Sequence, residues 1–310
     1  MATPANMYAT GSVTGIRESL SNDISNVSPV DTQFYSKIGN SPDGKPKHTK
    51  HEWLTDVVPA VTDNAQPEGN TWSASAITAA TRLYNILQIQ DRKFAISRTT
   101  QQVNSAGGVS KEGYQTALFM QALAKDTERA ALRAVRNDTD TRQMRGALNW
   151  TTTNISMGAG ATLNADGTIT GGADRQLDGT IFKSVIENIF NNSTGKPDTI
   201  YCPSTLNQAF TNMAGAGNYR QMVENGKLDS YVDVYATEFN FTFKIKPHRD
   251  MPAKTVFIVD HKTWKKAILH PATKEEYGFN ADGKQYAIVQ EWTIEARAEL
   301  CNGRLANVIP

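Results

Sequence analysis

The sequence predicts an α+β fold, and three observations lead to that class. A long amphipathic helix is predicted near residues 110–136, and a long alternating strand is predicted near residues 285–300. Over residues 179–280, short apolar runs alternate with helical patterns, which is typical of a compact α/β subdomain. We expect the rest of the chain to pack against the long helix.

The predicted helix at 110–136 has no proline, and its one glycine lies in the first turn. Ser110 is a suitable N-cap, and Glu112 places negative charge where the helix dipole favours it. Spacings of three and four predict one buried, alanine-rich face: Thr116, Met120, Leu123, Thr127, Ala130 and Ala134. The opposite arc is predicted to be polar: Gln121, Lys125, Glu128, Arg129, Arg133 and Arg136. An ordinary core helix has the same periodicity, so the pattern by itself identifies no function.

The predicted strand at 285–300 follows a turn at Asp282 and Gly283. One face is predicted to be apolar: Tyr286, Ile288, Trp292, Ile294, Ala296, Ala298 and Leu300. The other face is predicted to be polar: Glu291, Thr293, Glu295, Arg297 and Glu299. The expected partner is a strand near 83–96, part of a segment at 78–104 that reads as a strand pair or one bent strand.

Two N-terminal segments lack a core of their own. Residues 1–40 carry a short amphipathic pattern and then three apolar anchors, and must lie on their own core or on a neighbour. The anchors are Phe34, Tyr35 and Ile38. Residues 41–75 are predicted to form a long hairpin or loop, polar on much of both faces, with His51 and Trp53 on one face. An ordinary surface hairpin is the alternative, but a long hairpin without a buried face is marginally stable, so we expect a partner surface.

The remaining segments are shorter. Residues 137–178 are predicted to be a flexible loop or small hairpin that turns at Asp166 and Gly167. Thr180 is predicted to cap the first helix of the subdomain, and Pro203 is expected in the first turn of its second helix. Buried strands are predicted at 198–202 and 255–260.

Composition limits the function classes. A chain of 310 residues can bury a core. Its hydrophobic content of 39% is low for one compact globule, which favours extended arms. The net charge of +1 gives no electrostatic reason to expect a dedicated nucleic-acid or membrane-surface protein. The two cysteines form no metal or redox motif, and no signal peptide or membrane span is recognisable. We therefore expect a soluble protein of a cytoplasm-like compartment.

No catalytic, cofactor-binding or metal-binding residue is predicted. His48, His51 and Glu52 follow the order H-x-x-H-E on an extended stretch, where residues three apart point to opposite faces. Gly195 and Lys196 do not complete a phosphate-binding loop, since the required first glycine and the Ser or Thr are absent. Other polar residues at predicted strand ends are interpreted as structural: His248, Asp250, Asp260, His261 and His270. We predict that the protein is not an enzyme.

Several stretches, taken in order, resemble the major capsid (major head) proteins of tailed bacteriophages. They are GIRESLSNDISNVSPVDTQFYSKIG (15–39), KHEWLTD (50–56), NILQIQDRKFAISRTTQQVNSAGG (85–108), KDTERAAL (125–132), RQMRGALNW (142–150), VDVYATEF (232–239) and VQEWTIEARAELCNGRL (289–305). The resemblance implies the Hong Kong 97-like capsid fold. Its parts would be an N-terminal arm at 1–40, an extended E-loop at 41–75, a P-domain at 76–178 with the long helix as its spine, an A-domain at 179–280, and a C-terminal strand at 281–310 that returns to the P-domain.

The resemblance also implies a function. Members of this family self-assemble as pentamers and hexamers into an icosahedral shell around double-stranded DNA, in the virion and after assembly in the host cytoplasm. Implied partners are other copies of the chain, scaffold, portal and decoration proteins, and DNA through nonspecific contact, with no membrane. We predict these subunit contacts: Arg17, Glu18, Lys50, Glu52, Trp53, Asp56, Trp72, Arg129 and Arg133. The alternatives are another virion protein, such as a tail or decoration component, and a soluble enzyme.

Overall fold

A computed structural model describes residues 31–59, 61–71, 74, 76–102, 111–215, 234–278 and 282–310. Its helices are α1 (Gln33–Lys37), α2 (Arg98–Gln102), α3 (Lys111–Arg133), α4 (Ala147–Trp150), α5 (Gly179–Asn192) and α6 (Ser204–Gly215). Its first eight strands are β1 (Gly39–Asn40), β2 (Lys50–Thr55), β3 (Thr81–Ile86), β4 (Gln88–Ser97), β5 (Ile155–Ser156), β6 (Ala161–Leu163), β7 (Ile169–Gly171) and β8 (Arg175–Gln176). The others are β9 (Thr199–Cys202), β10 (Val234–Ala236), β11 (Thr242–Pro247), β12 (Thr255–Val259), β13 (Trp264–Glu276), β14 (Gly283–Ala296), β15 (Gly303–Ala306) and β16 (Val308–Ile309).

One sheet has the order β1-β13-β14-β4 and contains the long predicted strand. The antiparallel pairing of β14 with β4 confirms the predicted partner, while β14 ends at Ala296 rather than at residue 300. Two members of the predicted polar face, Thr293 and Glu295, are completely buried, so this part of the face does not meet solvent. A second strand pair, β2 and β3, packs near this part of the sheet, and the Asn85 amide of β3 donates to the carbonyl of Ile294 at 2.9 Å.

The spine helix α3 packs on the same sheet, as expected for an amphipathic helix with one apolar stripe. Leu123 lies in a small core against Phe94 of β4 and Ile288 of β14. The predicted buried face is confirmed for Leu123, Thr127, Ala130 and Ala134, but Met120 is 36% exposed. The predicted cap, Ser110, lies outside the described residues.

The second sheet has the order β10-β11-β9-β12-β15-β5 and carries α5 and α6 on one face. Val256 and Ile258 of β12 face that helical layer, whereas Phe257 and Val259 face the core that also contains Phe34 and Trp264. The two buried strands predicted here, β9 and β12, are confirmed. The strand β13 lies in the segment expected to form the A-domain but pairs with β14 of the other sheet, so the two parts share their boundary.

Local sequence explains the turn and the cap. The predicted turn at Asp166 and Gly167 closes the β6–β7 hairpin, and Gly167 has φ of +84°. A Cβ at Gly167 would lie 1.8 Å from the carbonyl oxygen of Asn149, so only glycine fits there. The predicted cap of α5 is corrected: Asp178, not Thr180, is the N-cap, and its carboxylate accepts from the Gly179 amide at 2.7 Å.

A buried carboxylate joins three parts of the chain. Glu128 of α3 is completely buried and accepts hydrogen bonds from the backbone amides of Phe34 and Tyr35 at 2.7 and 2.8 Å. It also lies 2.8 Å from Nε2 of His248, which follows β11. The prediction that Glu128 belongs to the polar arc is therefore wrong. His248 is also buried, at 2% exposure, so this histidine at a strand end does not meet solvent.

The Glu128 site caps the first helix. The residue at the N-cap of α1, Thr32, makes no side-chain capping bond, and the carboxylate from α3 takes that role by accepting from the amides of Phe34 and Tyr35. Phe34 is thereby held in the core against Tyr201, Phe257 and Trp264, with ring centroids 6.0 to 6.3 Å apart. Residues 31–40 thus lie on the core of their own chain, and residues 1–30 lie outside the described part.

The core position of Leu123 can be tested by Leu123→Asp. An unpaired carboxylate would enter the apolar layer between α3 and the sheet, and we expect a loss of several kcal/mol of unfolding free energy, comparable to the stability of a domain. Circular dichroism and urea unfolding measure it. The matched control is Ala117→Asp on the exposed side of α3, where a cost of about 0.5 kcal/mol is expected from helix propensity. Equal effects of the two variants would contradict the packing described for α3.

The cap can be tested by Glu128→Gln. The amide nitrogen of glutamine cannot accept the hydrogen bonds that the carboxylate oxygens accept, so at least one buried donor loses its partner. We expect a loss of about 2–4 kcal/mol of unfolding free energy and faster hydrogen exchange at Phe34 and Tyr35. Glu112→Gln is the control, because Glu112 forms a part-exposed ion pair with Lys274 at the start of the same helix. It is expected to cost less than about 1 kcal/mol, and unchanged exchange at Phe34 in Glu128→Gln would refute the capping role.

Candidate assembly surface

The strands β2 and β3 form the stem of the hairpin predicted at 41–75. They pair antiparallel from Lys50 opposite Ile86 to Thr55 opposite Thr81, so the return strand begins later than the sequence suggested. His51 and Trp53 are buried at 8% and 5% exposure, whereas Glu52 and Leu54 point to solvent. The alternation is as predicted, but the expectation that the hairpin lacks a buried face is wrong for its stem.

Trp53 anchors the stem to its own chain. Its indole nitrogen donates to the carbonyl of Ala296 at 3.1 Å, and its ring lies 5.6 Å from the ring of Trp150. Because this side chain is almost fully covered by its own chain, it has little area left for a neighbouring subunit. Its burial does not support the predicted subunit contact, and we assign Trp53 to holding the stem in place.

A charged network fixes the same face of the stem. His51 Nε2 lies 2.7 Å from Glu295 Oε1, and Arg297 Nε donates to the second oxygen of the same carboxylate at 2.7 Å. Burial raises the pKa of Glu295, but hydrogen bonds from His51, Ser41 and Arg297 outweigh it and hold that pKa at about 2. Arg297 also reaches Asp43 at 3.0 Å. The stem, the preceding turn and β14 are therefore held together around one ionised carboxylate.

Beyond the stem, the described residues between Asp56 and Ala80 form no helix or strand. This segment exposes apolar side chains that the described part of the chain does not cover. Val57, Val58, Val61 and Ile77 are each at least 78% exposed. The sequence predicted a hairpin or loop polar on much of both faces and missed this exposed apolar run, although three closely spaced valines are visible in VVPAV. A run of exposed apolar residues on a coreless segment is a feature of protein contact sites.

The same segment has one sign of charge. Residues 51–81 contain no lysine or arginine. The acidic residues of that range are Glu52, Asp56, Asp63 and Glu68. Within the stem Glu52 is 3.5 Å from Arg82, and both side chains are largely exposed, so this ion pair contributes little to stability. The tip is therefore an acidic segment with exposed valines, carried on a stem that has one buried face.

The other predicted contact residues lie in different places. Lys50 is exposed, with its amine 5.1 Å from the centre of the Tyr84 ring. Asp56 is exposed at the start of the tip, and its carboxylate accepts from the Val57 amide at 2.8 Å. Arg129 and Arg133 are exposed on α3 rather than on the loop. Arg17, Glu18 and Trp72 lie outside the described residues.

The described part of the chain offers no group of three or more His, Cys, Asp or Glu residues placed to hold a metal ion. His48 accepts a hydrogen bond from the amide of Lys50 at 3.2 Å, while His51 faces Glu295. Both cysteines are free and buried, and burial raises the pKa of the Cys202 thiol to about 12, which makes it a poor nucleophile. None of the helices that the structure describes combines the length and apolarity needed to cross a membrane.

Solved structures to which the chain is similar include capsids of a cyanophage and of a GTA particle. The capsid of the cyanophage A-1(L) superposes with a TM-score of 0.66 at 12% identity, covering 94% of this chain and 97% of that one. The capsid of a native GTA particle gives 0.65 at 14% identity, with 97% and 99% covered. The structure from Mycobacterium phage Che8 gives 0.60 at 13% identity, with 95% and 98% covered. These similarities show the Hong Kong 97-like capsid fold.

No curated protein sequence matches the chain. A family model described as SU10 major capsid protein matches residues 3–308, which is nearly the whole chain. That match favours a shell protein over the tail or decoration component that the sequence left as an alternative. The chain therefore belongs to the SU10 major capsid protein family, and it is a major capsid protein that forms the shell of a phage head.

Proposed function

We propose that the chain assembles as pentamers and hexamers into an icosahedral shell around double-stranded DNA, and that its acidic tip makes the contacts between subunits. One observation carries this proposal: a stem fixed to its own core presents exposed valines that the described part of the chain does not cover. Such a segment gains apolar burial when it packs on a neighbour. The energy of each contact stays modest because the tip loses conformational freedom on docking, so wrong contacts can reverse.

The proposal includes the other partners that the sequence suggested. Scaffold, portal and decoration proteins contact the shell during or after assembly in the bacterial cytoplasm, and DNA contact is nonspecific. The near-neutral net charge of +1 supports the self-association of many copies, because it limits repulsion between them. Of the predicted subunit contacts, Lys50, Glu52 and Asp56 belong to the loop surface and are kept in the proposal. The role is structural, without catalysis.

The loop role can be tested by replacing residues 56–70 with a short turn. Because the stem is held by Trp53 and Glu295, closing the loop more tightly is expected to change the free energy of unfolding by less than about 1 kcal/mol. The shortened protein should keep native circular dichroism and form no shells in electron micrographs. Normal particles from the shortened protein would refute the E-loop assignment, and unfolding would show that the tip belongs to the subunit core.

A finer variant separates apolar contact from loop length. Val57→Ser, Val58→Ser and Val61→Ser together remove the exposed valines and keep every residue of the loop. Shell assembly should then require a much higher protein concentration, since each fully buried valine is worth about 1.5 kcal/mol or more. The control replaces Asn64, Gln66 and Asn70 with serine in the same loop and should assemble normally. Equal assembly of both variants, measured by light scattering, would show that the valines are not buried between subunits.

A further inference from the structure

The exposed side of α3 carries a row of three cations. Lys125, Arg129 and Arg133 are four residues apart, so they lie along one line of the helix surface with about 6 Å of rise between neighbours. Both arginines are exposed, and Lys125 is partly exposed. The sequence grouped them on the polar arc and predicted two of them as subunit contacts. The structure adds that Glu128, the acidic member of that arc, is buried away from the row.

The row has no acidic partner within the part of the chain that the structure describes. The nearby acidic residues of α3 are already engaged elsewhere. Asp126 accepts two hydrogen bonds from Arg92, at 2.5 and 2.7 Å. Glu128 is hydrogen-bonded to His248 and to two backbone amides of α1. Cations four residues apart on a helix repel one another by a few tenths of a kcal/mol per pair. The row therefore keeps three like charges together without a described carboxylate to neutralise them.

We propose that Lys125, Arg129 and Arg133 bind the phosphate backbone of double-stranded DNA on the inner side of the shell, an inference that rests on the proposed function. A duplex presents about one negative charge per 1.7 Å of its axis. A straight row of cations therefore meets phosphates in any register and with any base sequence. That suits a surface that must hold whatever DNA is enclosed, and arginine is well matched to phosphate because its planar group donates two hydrogen bonds at once.

The acidic tip of a second copy is the competing partner, and spacing argues against it. Asp56, Asp63 and Glu68 are seven and five residues apart, so on an extended backbone they are separated by roughly 23 and 17 Å. The whole cation row spans only about 12 Å of helix axis. One extended tip can thus place one carboxylate on the row at a time and leaves the other two cations unpaired. A duplex leaves none unpaired.

The test compares full-length chains. The row variant is Lys125→Gln, Arg129→Gln and Arg133→Gln together, and the control removes three exposed cations elsewhere, with Lys45→Gln, Lys47→Gln and Arg249→Gln. Fluorescence anisotropy with a labelled random-sequence duplex is measured between about 50 and 200 mM salt. Losing three phosphate contacts should make the slope of log affinity against log salt shallower by about 2.7 for the row variant. The control should keep the slope of the unaltered protein.

Electron microscopy of the same proteins shows whether each of them forms shells, which tests the proposed assembly function separately from the DNA contact. Normal shells from the row variant, together with the shallower salt slope, would support the DNA contact. An unchanged slope, or an equal change in the control, would overturn it. Loss of shells with an unchanged slope would also overturn it, and would assign Arg129 and Arg133 to subunit contact. If even the unaltered protein forms no shells, the proposed function fails while the DNA measurement still decides the row.

Discussion

The buried carboxylate of Glu128 is the constraint on which the arrangement of the N-terminal segment, the spine helix and the second sheet depends. Burying an ionised carboxylate costs several kcal/mol unless it is paired and hydrogen-bonded. Here the amides of Phe34 and Tyr35 and the ring of His248 meet both of its oxygens. Charge-assisted hydrogen bonds of this kind contribute about 1.5–3 kcal/mol each. Since each donor comes from a different element than α3, the site can be satisfied only when all three parts are in place.

That junction lets a shell subunit combine a fixed body with a segment left for its neighbours. The aromatic core around Phe34 lies between the spine helix and the second sheet, so the two sheets share one interior. The hairpin is likewise divided into a part fixed to its own chain and a part left for neighbours. Its stem is tied down through Trp53 and the ionised Glu295, whereas its tip keeps four apolar side chains in water. Rigid support and an uncovered tip together allow docking without unfolding the subunit.

The charges are also divided by location. Residues 51–81, which include the tip, contain acidic residues and no lysine or arginine, while the exposed side of α3 carries Lys125, Arg129 and Arg133. A net charge near zero conceals this separation, because the opposite signs cancel in the sum. The overall charge consequently excludes strong general repulsion between copies but does not exclude a local surface for a polyanion. Position on the fold, rather than composition, decides which partner each surface can meet.

The sequence by itself determined the α+β class, the long helix, the pairing of the long strand with the strand near 83–96 and the turn at Gly167. These follow from local periodicity and from the special backbone freedom of glycine, which need no knowledge of distant residues. Its ordered motifs also resembled the capsid family to which the chain belongs. Only the tertiary structure decided the roles of Glu128, Glu295 and Trp53. A glutamate on a helix face or on a strand is usually solvent-exposed. Nothing in its local sequence shows that His248 or His51, more than a hundred residues away along the chain, will form a hydrogen bond with its carboxylate. Trp53 likewise fits the alternating pattern of a hairpin strand, which does not tell whether its indole faces a neighbour or its own core. That is decided by its contacts with Ala296 and Trp150, which only the folded chain brings together.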